Sequence, residues 1–253
     1  MAQVQEFTIP LPPLPEQQRI VAILDESFAA IATAKANAEK NLQNARAVFD
    51  SFLDTVFTTA DANDRQFTLG EVCEIVGGSQ PPKSVFSNEY KDGYVRLIQI
   101  RDYKSDDHIV YIPRSLARRF CTEDDVMIGR YGPPVFQILE GLTGAYNVAL
   151  MKAIPNVSLL ARDYLFHFLL HGTIQRHIVF HSERASGQTG INKELLEKYP
   201  IALPPLSRQV EKAKAIRQLR AETLRLESLY RQKLAALDEL KKSLLHRAFN
   251  GDL

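Results

Sequence analysis

Cysteine is scarce in this sequence: Cys73 and Cys121 stand far apart, outside any CxxC pair and with no histidine at ligand spacing. That count and spacing exclude a disulfide framework and a cysteine-built zinc site, and they point to a reducing, intracellular setting. Also missing is a run of about 18 apolar residues that would span a bilayer. The first residues lack the basic stretch and apolar core of a signal peptide. A cytoplasmic chain with no membrane partner is therefore expected. Net charge is nearly absent as well, +1 from 31 Lys+Arg and 30 Asp+Glu, which taken alone argues weakly against a nucleic-acid partner.

Recognisable catalytic motifs are missing too. A base-modifying methyltransferase needs a glycine-rich cofactor loop and an Asn/Asp-Pro-Pro-aromatic element to hold a flipped base, but the Pro-Pro pairs here follow Leu, Gln or Gly. No GxxxxGK[ST] phosphate loop, GxSxG elbow or nuclease-like acidic pair on a strand occurs. No catalytic residue is assigned. The six histidines are His108, His167, His171, His177, His181 and His246. His167/His171 and His177/His181 have the i,i+4 spacing that can bind zinc, but neither pair encloses a Glu as in HExxH and no third ligand is evident. No metal site is expected.

What is present is an ordinary globular composition, 45% hydrophobic and 24% charged, and an internal repeat. Shifting the sequence by 192 positions aligns residues 9–57 with 201–249 without a gap and gives 11 identities in 49. Chance would give roughly three, and a repeat found first governs how the rest is read. The identities include Ile9/Ile201, Leu11/Leu203, Pro12/Pro204, Pro13/Pro205, Leu14/Leu206, Gln17/Gln209, Leu42/Leu234 and Phe57/Phe249.

Each copy begins as a short apolar run, meets two prolines that end it and pre-set a helix entrance, and then runs without Gly or Pro. In the first copy Ile20, Leu24, Phe28, Ile31, Ala34, Ala38, Leu42, Ala45, Val48, Phe52 and Val56 recur at spacings of three and four. In the second, Ile216, Leu219, Thr223, Leu226, Tyr230, Leu234, Leu237, Leu240, Leu244 and Ala248 do the same. This is a coiled-coil seam. Forty-odd residues at a 1.5 Å rise predict helices of roughly 60 Å. The simplest closure is an antiparallel pair with Leu24, Phe28, Ile31, Leu42 and Phe52 facing Leu219, Leu226, Leu234, Leu237 and Leu244. Unrelated surface helices on a core are the alternative. Gly251 reads as the stop of the second helix. Charge is divided between the copies: residues 1–60 hold 4 basic and 7 acidic groups (−3), 61–200 hold 16 and 17 (−1), and 201–253 hold 11 and 6 (+5). Opposite charges favour pairing of the two copies, although each exposed pair contributes under about 1 kcal/mol.

Between the copies the texture changes to short β-rich runs. Strands are expected at 71–76, 94–100, 108–111, 125–130, 141–146, 149–153 and 199–203, and helices near 115–120, 161–170, 172–180 and 193–197. The fold class is α+β, one globular domain of mixed short strands and helices flanked by two long helices that form an antiparallel coiled coil. The boundaries read as a strand or linker at 1–13, a first helix at 14–60, the globular domain at 61–206 and a second helix at 207–253.

Three polar loops with flexible backbones stand out in that domain. In Gly77–Lys83 the glycines permit close backbone approach, and Ser79, Gln80 and Lys83 supply groups suited to base edges and phosphates. In Arg130–Pro134 an arginine able to bind guanine bidentately sits beside Tyr131. The third runs from Glu183 to Lys193 and is dense in donors, among them Arg184, Gln188, Thr189 and Lys193. Each of the first two can equally be a plain turn, and Asn192 can be a simple helix N-cap. Arg96, Gln99 and Arg101 alternate along an expected strand and so share a face, which is either DNA-facing or merely solvated.

The pattern IPLPPLPEQQRIVAIL opening a long helix, its repeat IALPPLSRQVEKAKAI and the terminal SLLHRAFNGDL resemble the specificity subunit of type I restriction-modification systems. LGEVCEIVGGSQPP, DDVMIGRYG, AYNVALMKA and ASGQTGINKELLEKYPIALPPL are similar in order and spacing to that family's target recognition domain. The resemblance implies a non-catalytic subunit that binds no cofactor itself and reads part of a bipartite site in double-stranded DNA. It further implies docking of methyltransferase (M) subunits that use S-adenosylmethionine, and of restriction/translocase (R) subunits through the complex. The family pattern alternates two recognition domains with two helices, whereas this chain holds helix, domain, helix. A truncated or half-size subunit, with two copies associating as a homodimer, is the resulting expectation. A coiled-coil adaptor binding protein is the competing reading, and a stand-alone nuclease or methyltransferase is disfavoured by the missing motifs.

Overall fold

The computed structural model describes residues 11–59, 63–184 and 190–253. In chain order they form α1 (Leu14–Thr58), β1 (Arg65–Thr68), α2 (Leu69–Val72), β2 (Cys73–Gly77), β3 (Tyr94–Ile98), β4 (Tyr111–Pro113), β5 (Phe120–Cys121), β6 (Val126–Gly129), β7 (Gln137–Leu139), β8 (Gly144–Tyr146), β9 (Leu150–Pro155), α3 (Arg162–Leu170), α4 (Gly172–Arg184), α5 (Lys193–Glu197), β10 (Pro200–Leu203) and α6 (Leu206–Asn250). Short 3-10 helices lie at Lys83–Val85, Ile100–Tyr103 and Arg114–Leu116. The expected α+β class with two long flanking helices is what is found.

The repeat is expressed to the residue. Helices α1 and α6 are both 45 residues long, and their first and last residues are related by the same shift of 192 that aligns the sequences. Both entrances use one device: Pro13 O accepts from the amides of Glu16 and Gln17, and Pro205 O from those of Arg208 and Gln209. Helix α6 stops at Asn250, followed by Gly251 at φ +79°. Glycine meets that left-handed requirement without a Cβ penalty.

The chain divides into two compact units, one of residues 1–49 and 218–253, the other of residues 50–217. In the first unit, α1 and α6 run antiparallel. Lys35 bonds Asp238 at 2.7 Å, Arg46 bonds Glu227 at 2.9 Å, and Arg19 donates to the Leu253 carbonyl at 2.5 Å, so partner numbers fall on one helix as they rise on the other. Leu24, Phe28, Leu42, Leu219, Leu226, Leu234, Leu237 and Leu244 are partly buried and Ile31 is buried, as a seam requires. Two seam assignments are corrected. Val48 and Leu240 are exposed; the first slot falls on partly buried Phe49, and the second on Lys241, exposed itself but in the register that keeps the alternation of three and four. Lys241 Nζ lies 5.0 Å from the centre of the Phe28 ring, so a lysine fills a seam slot by cation–π contact. The ion pairs also run against the net charges: the cations Lys35 and Arg46 come from the acidic copy and the anions from the basic one.

The second unit holds two four-stranded sheets and one two-stranded sheet, with a main core on the β2-β9-β6-β7 side and two smaller clusters, around Ile98, Met127 and Tyr146 and around Leu97, Ile112 and Ala145. The strand orders are β2-β9-β6-β7, β4-β3-β8-β5 and β1-β10, with β3–β8 the parallel pair. Strand β6, Val-Met-Ile-Gly, is buried at every residue and lies between β9 and β7. Helix α3 is buried from Tyr164 to Leu169 and packs with Ile75, Val126, Ile128 and Met151. The last turns of α1 and the first turns of α6 belong to this unit: the Phe57 ring stands 5.1 Å from Tyr164, and Ile216 is fully buried. Phe52, assigned to the seam, is partly buried in this unit, next to buried Leu53.

Several expected element bounds are corrected here. The strand expected from residue 71 starts at Cys73, because Glu71 accepts from the Thr68 amide at 2.6 Å and caps one turn of helix. The strand expected over 94–100 ends at Ile98, and the helix expected at 115–120 is a 3-10 turn at Arg114–Leu116 leading into β5. Strands β1, β5 and β7 are not among those expected from the sequence.

Candidate nucleic-acid interface

The loops singled out by sequence meet on one turn. Residues Tyr146–Leu150 join β8 to β9, and neighbouring segments hydrogen-bond to them through main-chain groups. Gly78 N donates to Leu150 O at 2.9 Å and Ser79 N to Tyr146 O at 3.2 Å. Arg130 N donates to Ala149 O at 2.9 Å, and Arg130 O in turn accepts from Ile191 N at 3.2 Å. Tyr146 N donates to Arg119 O at 3.0 Å and Asn147 N to Ile98 O at 3.1 Å. Two of the loops expected from sequence (77–83 and 130–134) and the described end, 190–193, of the third (183–193) therefore share a frame with two other segments, around Ile98 and Arg119.

The frame is rigid. Tyr146 is buried and its hydroxyl donates to Val76 O at 3.3 Å; burial pushes its phenol up to about 12, so it stays a neutral donor. Gly78 passes so close to the turn that a Cβ there would fall 1.9 Å from Asn147 O, which only glycine avoids. The return of the 130–135 loop is pinned by Phe136, buried in the core at φ +62°, with its carbonyl accepting from Gln175 Nε2 at 3.3 Å. A left-handed phenylalanine costs about 1–2 kcal/mol, which burial of its ring offsets.

On this frame Arg130 lies with its guanidinium carbon 5.2 Å from the centre of the Tyr131 ring, and its Nε is buried without a hydrogen-bond partner. Tyr131 rests on Gly190, where a Cβ would meet the ring at 2.5 Å. A half-buried arginine held against an aromatic ring has its planar guanidinium preoriented, which suits a planar acceptor edge. Lys193 is paired with Glu197 at 3.4 Å, and Asn192 caps α5 by accepting from Glu194 N at 2.9 Å. Gln188 and Thr189 lie outside the described residues, as does the side chain of Arg184.

Ser79, Gln80, Pro81 and Pro82 line one side of a cavity of about 290 Å³, with Ser115, Leu116 and Arg118 on the other. Lys83 follows, exposed, at the start of a 3-10 turn. The cationic stretch Arg114-Ser-Leu-Ala-Arg118-Arg119 was missed by the sequence reading, although three arginines in six residues in a near-neutral domain were a usable signal.

The shared face of Arg96, Gln99 and Arg101 is corrected. The chain leaves the strand at Gln99, whose amide donates to the Asp102 carboxylate at 3.1 Å, and Arg101 lies in the 3-10 turn that follows. Arg96 is 18% exposed and engaged by Asp106 at 2.9 Å and Asp102 at 3.7 Å. Burial raises the Asp102 carboxyl above the usual range, while Arg96 and Arg101 oppose the rise. Arg96 is thus a structural ion-pair member, and Arg101 remains half exposed, donating to His108 O at 3.4 Å.

The histidine pairs differ. His167 and His171 are buried, whereas His177 and His181 are exposed, their rings 4.4 Å apart and tilted by 33°. Among the described residues no group of three or more His, Cys, Asp or Glu is placed to hold a metal ion, and no helix is long and apolar enough to cross a membrane.

Comparison with known proteins agrees with this architecture. The chain is 25% identical to the type I restriction enzyme EcoKI specificity subunit of Escherichia coli strain K12, over 98% of this chain and 58% of that protein. It is 23% identical to the EcoBI specificity subunit of Escherichia coli, over 99% and 59%. It thus spans about three fifths of the length of these curated relatives. A solved structure described as "Structural basis underlying complex assembly and conformational transition of the type I R-M system" matches with a TM-score of 0.80 and 25% identity, covering 97% of this chain and 62% of that one. The HsdS subunit from Thermoanaerobacter tengcongensis shares the fold at a TM-score of 0.66 and 24% identity, over 97% and 60%. The family profile for the type I restriction modification DNA specificity domain matches residues 1–43 and 64–236. With most of its length matched, the chain belongs to the type I restriction-modification DNA specificity family.

Proposed function

We propose that this chain is a non-catalytic DNA-reading subunit acting in the cytoplasm. Its 50–217 unit reads one part of a bipartite site in double-stranded DNA, and its paired helices dock methyltransferase subunits. The observation that carries the reading is the convergence of the polar loops on the Tyr146–Leu150 turn, which gives the family's recognition role one rigid surface. S-adenosylmethionine is held by the partner methyltransferase in this scheme, and the restriction subunits join through the assembled complex.

The repeat supports a second recognition domain at the other helix ends. In the 50–217 unit, Leu203 is 4% exposed and Gln209 is fully buried, bonded to Leu159 O, Ala161 N and Pro204 O at 2.8 Å each, while Phe57 enters the core. The repeat-related Leu11 is 82% and Phe249 70% exposed, and Gln17 bonds Pro12 O at 2.7 Å as Gln209 bonds Pro204 O. Lys212 reaches Val56 O in one seat; their counterparts Ile20 and Ala248 line a single cavity in the other. We propose that two copies of the chain associate to bring two domains to one interrupted site.

The test is binding of the chain, mixed with the modification subunit, to duplexes selected from a random pool. Selective, salt-dependent enrichment of one sequence that Arg130→Ala weakens supports the reading. Enrichment of no sequence sinks it in favour of a protein adaptor. Light scattering with and without the modification subunit examines the association, and a strict monomer in both samples defeats the two-copy scheme.

A further inference from the structure

Part of the positive charge in the 50–217 unit is already engaged by carboxylates. Arg96 is engaged by Asp102 and Asp106, Lys152 by Asp125 at 3.3 Å, Arg162 by Asp124 at 3.5 Å, Lys193 by Glu197, and Arg217 by Asp163. Lys83, Arg118 and Arg119 are exposed and have no side-chain hydrogen bond or ion pair among the described residues. These three are not scattered. Ser79 N and Arg119 O both bond the main chain of Tyr146, which brings the 79–83 loop beside Arg119, and Arg118 faces Ser79 and Gln80 across the 290 Å³ cavity. Lys104, Lys198, Arg208 and Lys214 are also exposed and uncommitted among the described residues; Lys83, Arg118 and Arg119 are distinguished by lying together on one arc of the frame that also carries Arg130.

We propose that Lys83, Arg118 and Arg119 form a phosphate clamp that grips the DNA backbone without regard to sequence, and that discrimination is left to the neighbouring Arg130–Tyr131 stack. The assignment rests on the DNA-reading function above and divides that site into two chemistries. Exposed cations on long, flexible stems suit phosphates, whose contacts position a protein on the duplex. Arg130, its guanidinium held against the Tyr131 ring, is preorganised instead for a base edge.

The experiment measures affinity of the full chain, mixed with the modification subunit, for a 40-bp duplex of random sequence and for the selected duplex, across a salt series. Each phosphate contact adds about 0.9 to the slope of log affinity against log salt, so Lys83→Ala/Arg118→Ala/Arg119→Ala should lower the slope magnitude by about 2.7. Affinity for both duplexes should fall together, by roughly 10²- to 10³-fold near 0.1 M salt, with the selected sequence motif unchanged. Lys83→Arg/Arg118→Lys/Arg119→Lys keeps the charges and should keep the slope, which separates the clamp from misfolding. Arg162→Ala, taken from an existing ion pair, should leave the slope unchanged. A triple variant that is folded by circular dichroism and binds with the wild-type slope overturns the clamp while the DNA-reading function stands. Loss of motif preference together with affinity overturns the division of labour. A wild-type chain that binds neither duplex overturns both readings.

Discussion

Gln209 and Gln17 occupy equivalent places in the repeat, yet replacing them should have very different costs. Gln209 is fully buried, and its carboxamide makes three hydrogen bonds of 2.8 Å, two donated to the carbonyls of Leu159 and Pro204 and one accepted from the Ala161 amide. Gln209→Ala leaves those three main-chain groups unpartnered. At about 1–3 kcal/mol for each orphaned buried group, and allowing for water entering the space, the loss should be roughly 3–6 kcal/mol. Gln17 is only partly buried and makes one bond, to Pro12 O at 2.7 Å, so Gln17→Ala should cost about 1 kcal/mol or less. Urea unfolding followed by circular dichroism and by tyrosine fluorescence measures both, and with a slope of about 2 kcal/mol/M the midpoints should fall by roughly 2 M and under 0.5 M. Equal shifts for the two variants would refute the reasoning that burial of the carboxamide, and not the helix entrance it shares with its repeat, determines its weight.

Other consequences are checked as directly. Gly78→Ala should detach the 77–83 loop from the central turn, costing about 1–3 kcal/mol for two lost main-chain bonds, and should weaken DNA binding in a fluorescence anisotropy titration. Arg46→Glu should destabilise the helix pair by under about 1 kcal/mol, and adding Glu227→Arg should restore it, as measured by a double-mutant cycle on thermal midpoints. Burial lowers the His171 pKa below its ordinary value of about 6.5, with Asp54 at 3.4 Å opposing and Arg176 assisting. The unfolded chain then binds more protons, so this contribution is fully present above about pH 6.5 and is lost as pH falls through the folded value; calorimetry from pH 7.5 to 5.5 should show a falling midpoint that His171→Gln flattens.

The two long helices were legible because their signals are local and repeated: Pro12-Pro13 and Pro204-Pro205 at the entrances, Gly251 at the exit, and a three-four alternation between. Their phase was less so. An apolar residue beside a seam slot, Val48 or Leu240, is indistinguishable in composition from one within it, and a lysine that satisfies its slot by lying on Phe28 is invisible to a search for hydrophobes. In the middle domain the strand cores were readable but their ends were not, because Glu71 and Gln99 redirect the chain through hydrogen bonds to residues three positions away. The three loops could be singled out by their glycines and polar groups. Their meeting on Tyr146–Leu150 could not, because it depends on bonds such as Gly78 to Leu150 and Ser79 to Tyr146, between residues remote in sequence.

The bonds that fasten Ser79, Arg119, Arg130 and Ile191 around the Tyr146–Leu150 turn are all made by amides and carbonyls, none by side chains. What those residues present outward is therefore uncoupled from what holds them. Such a surface behaves like movable type in a fixed forme: the side chain at 79, 119 or 130 can be exchanged without loosening the frame, while Gly78, wedged against Asn147, cannot. On the DNA-reading function proposed above, exchanges at these positions alter the message one substitution at a time, at little cost in stability.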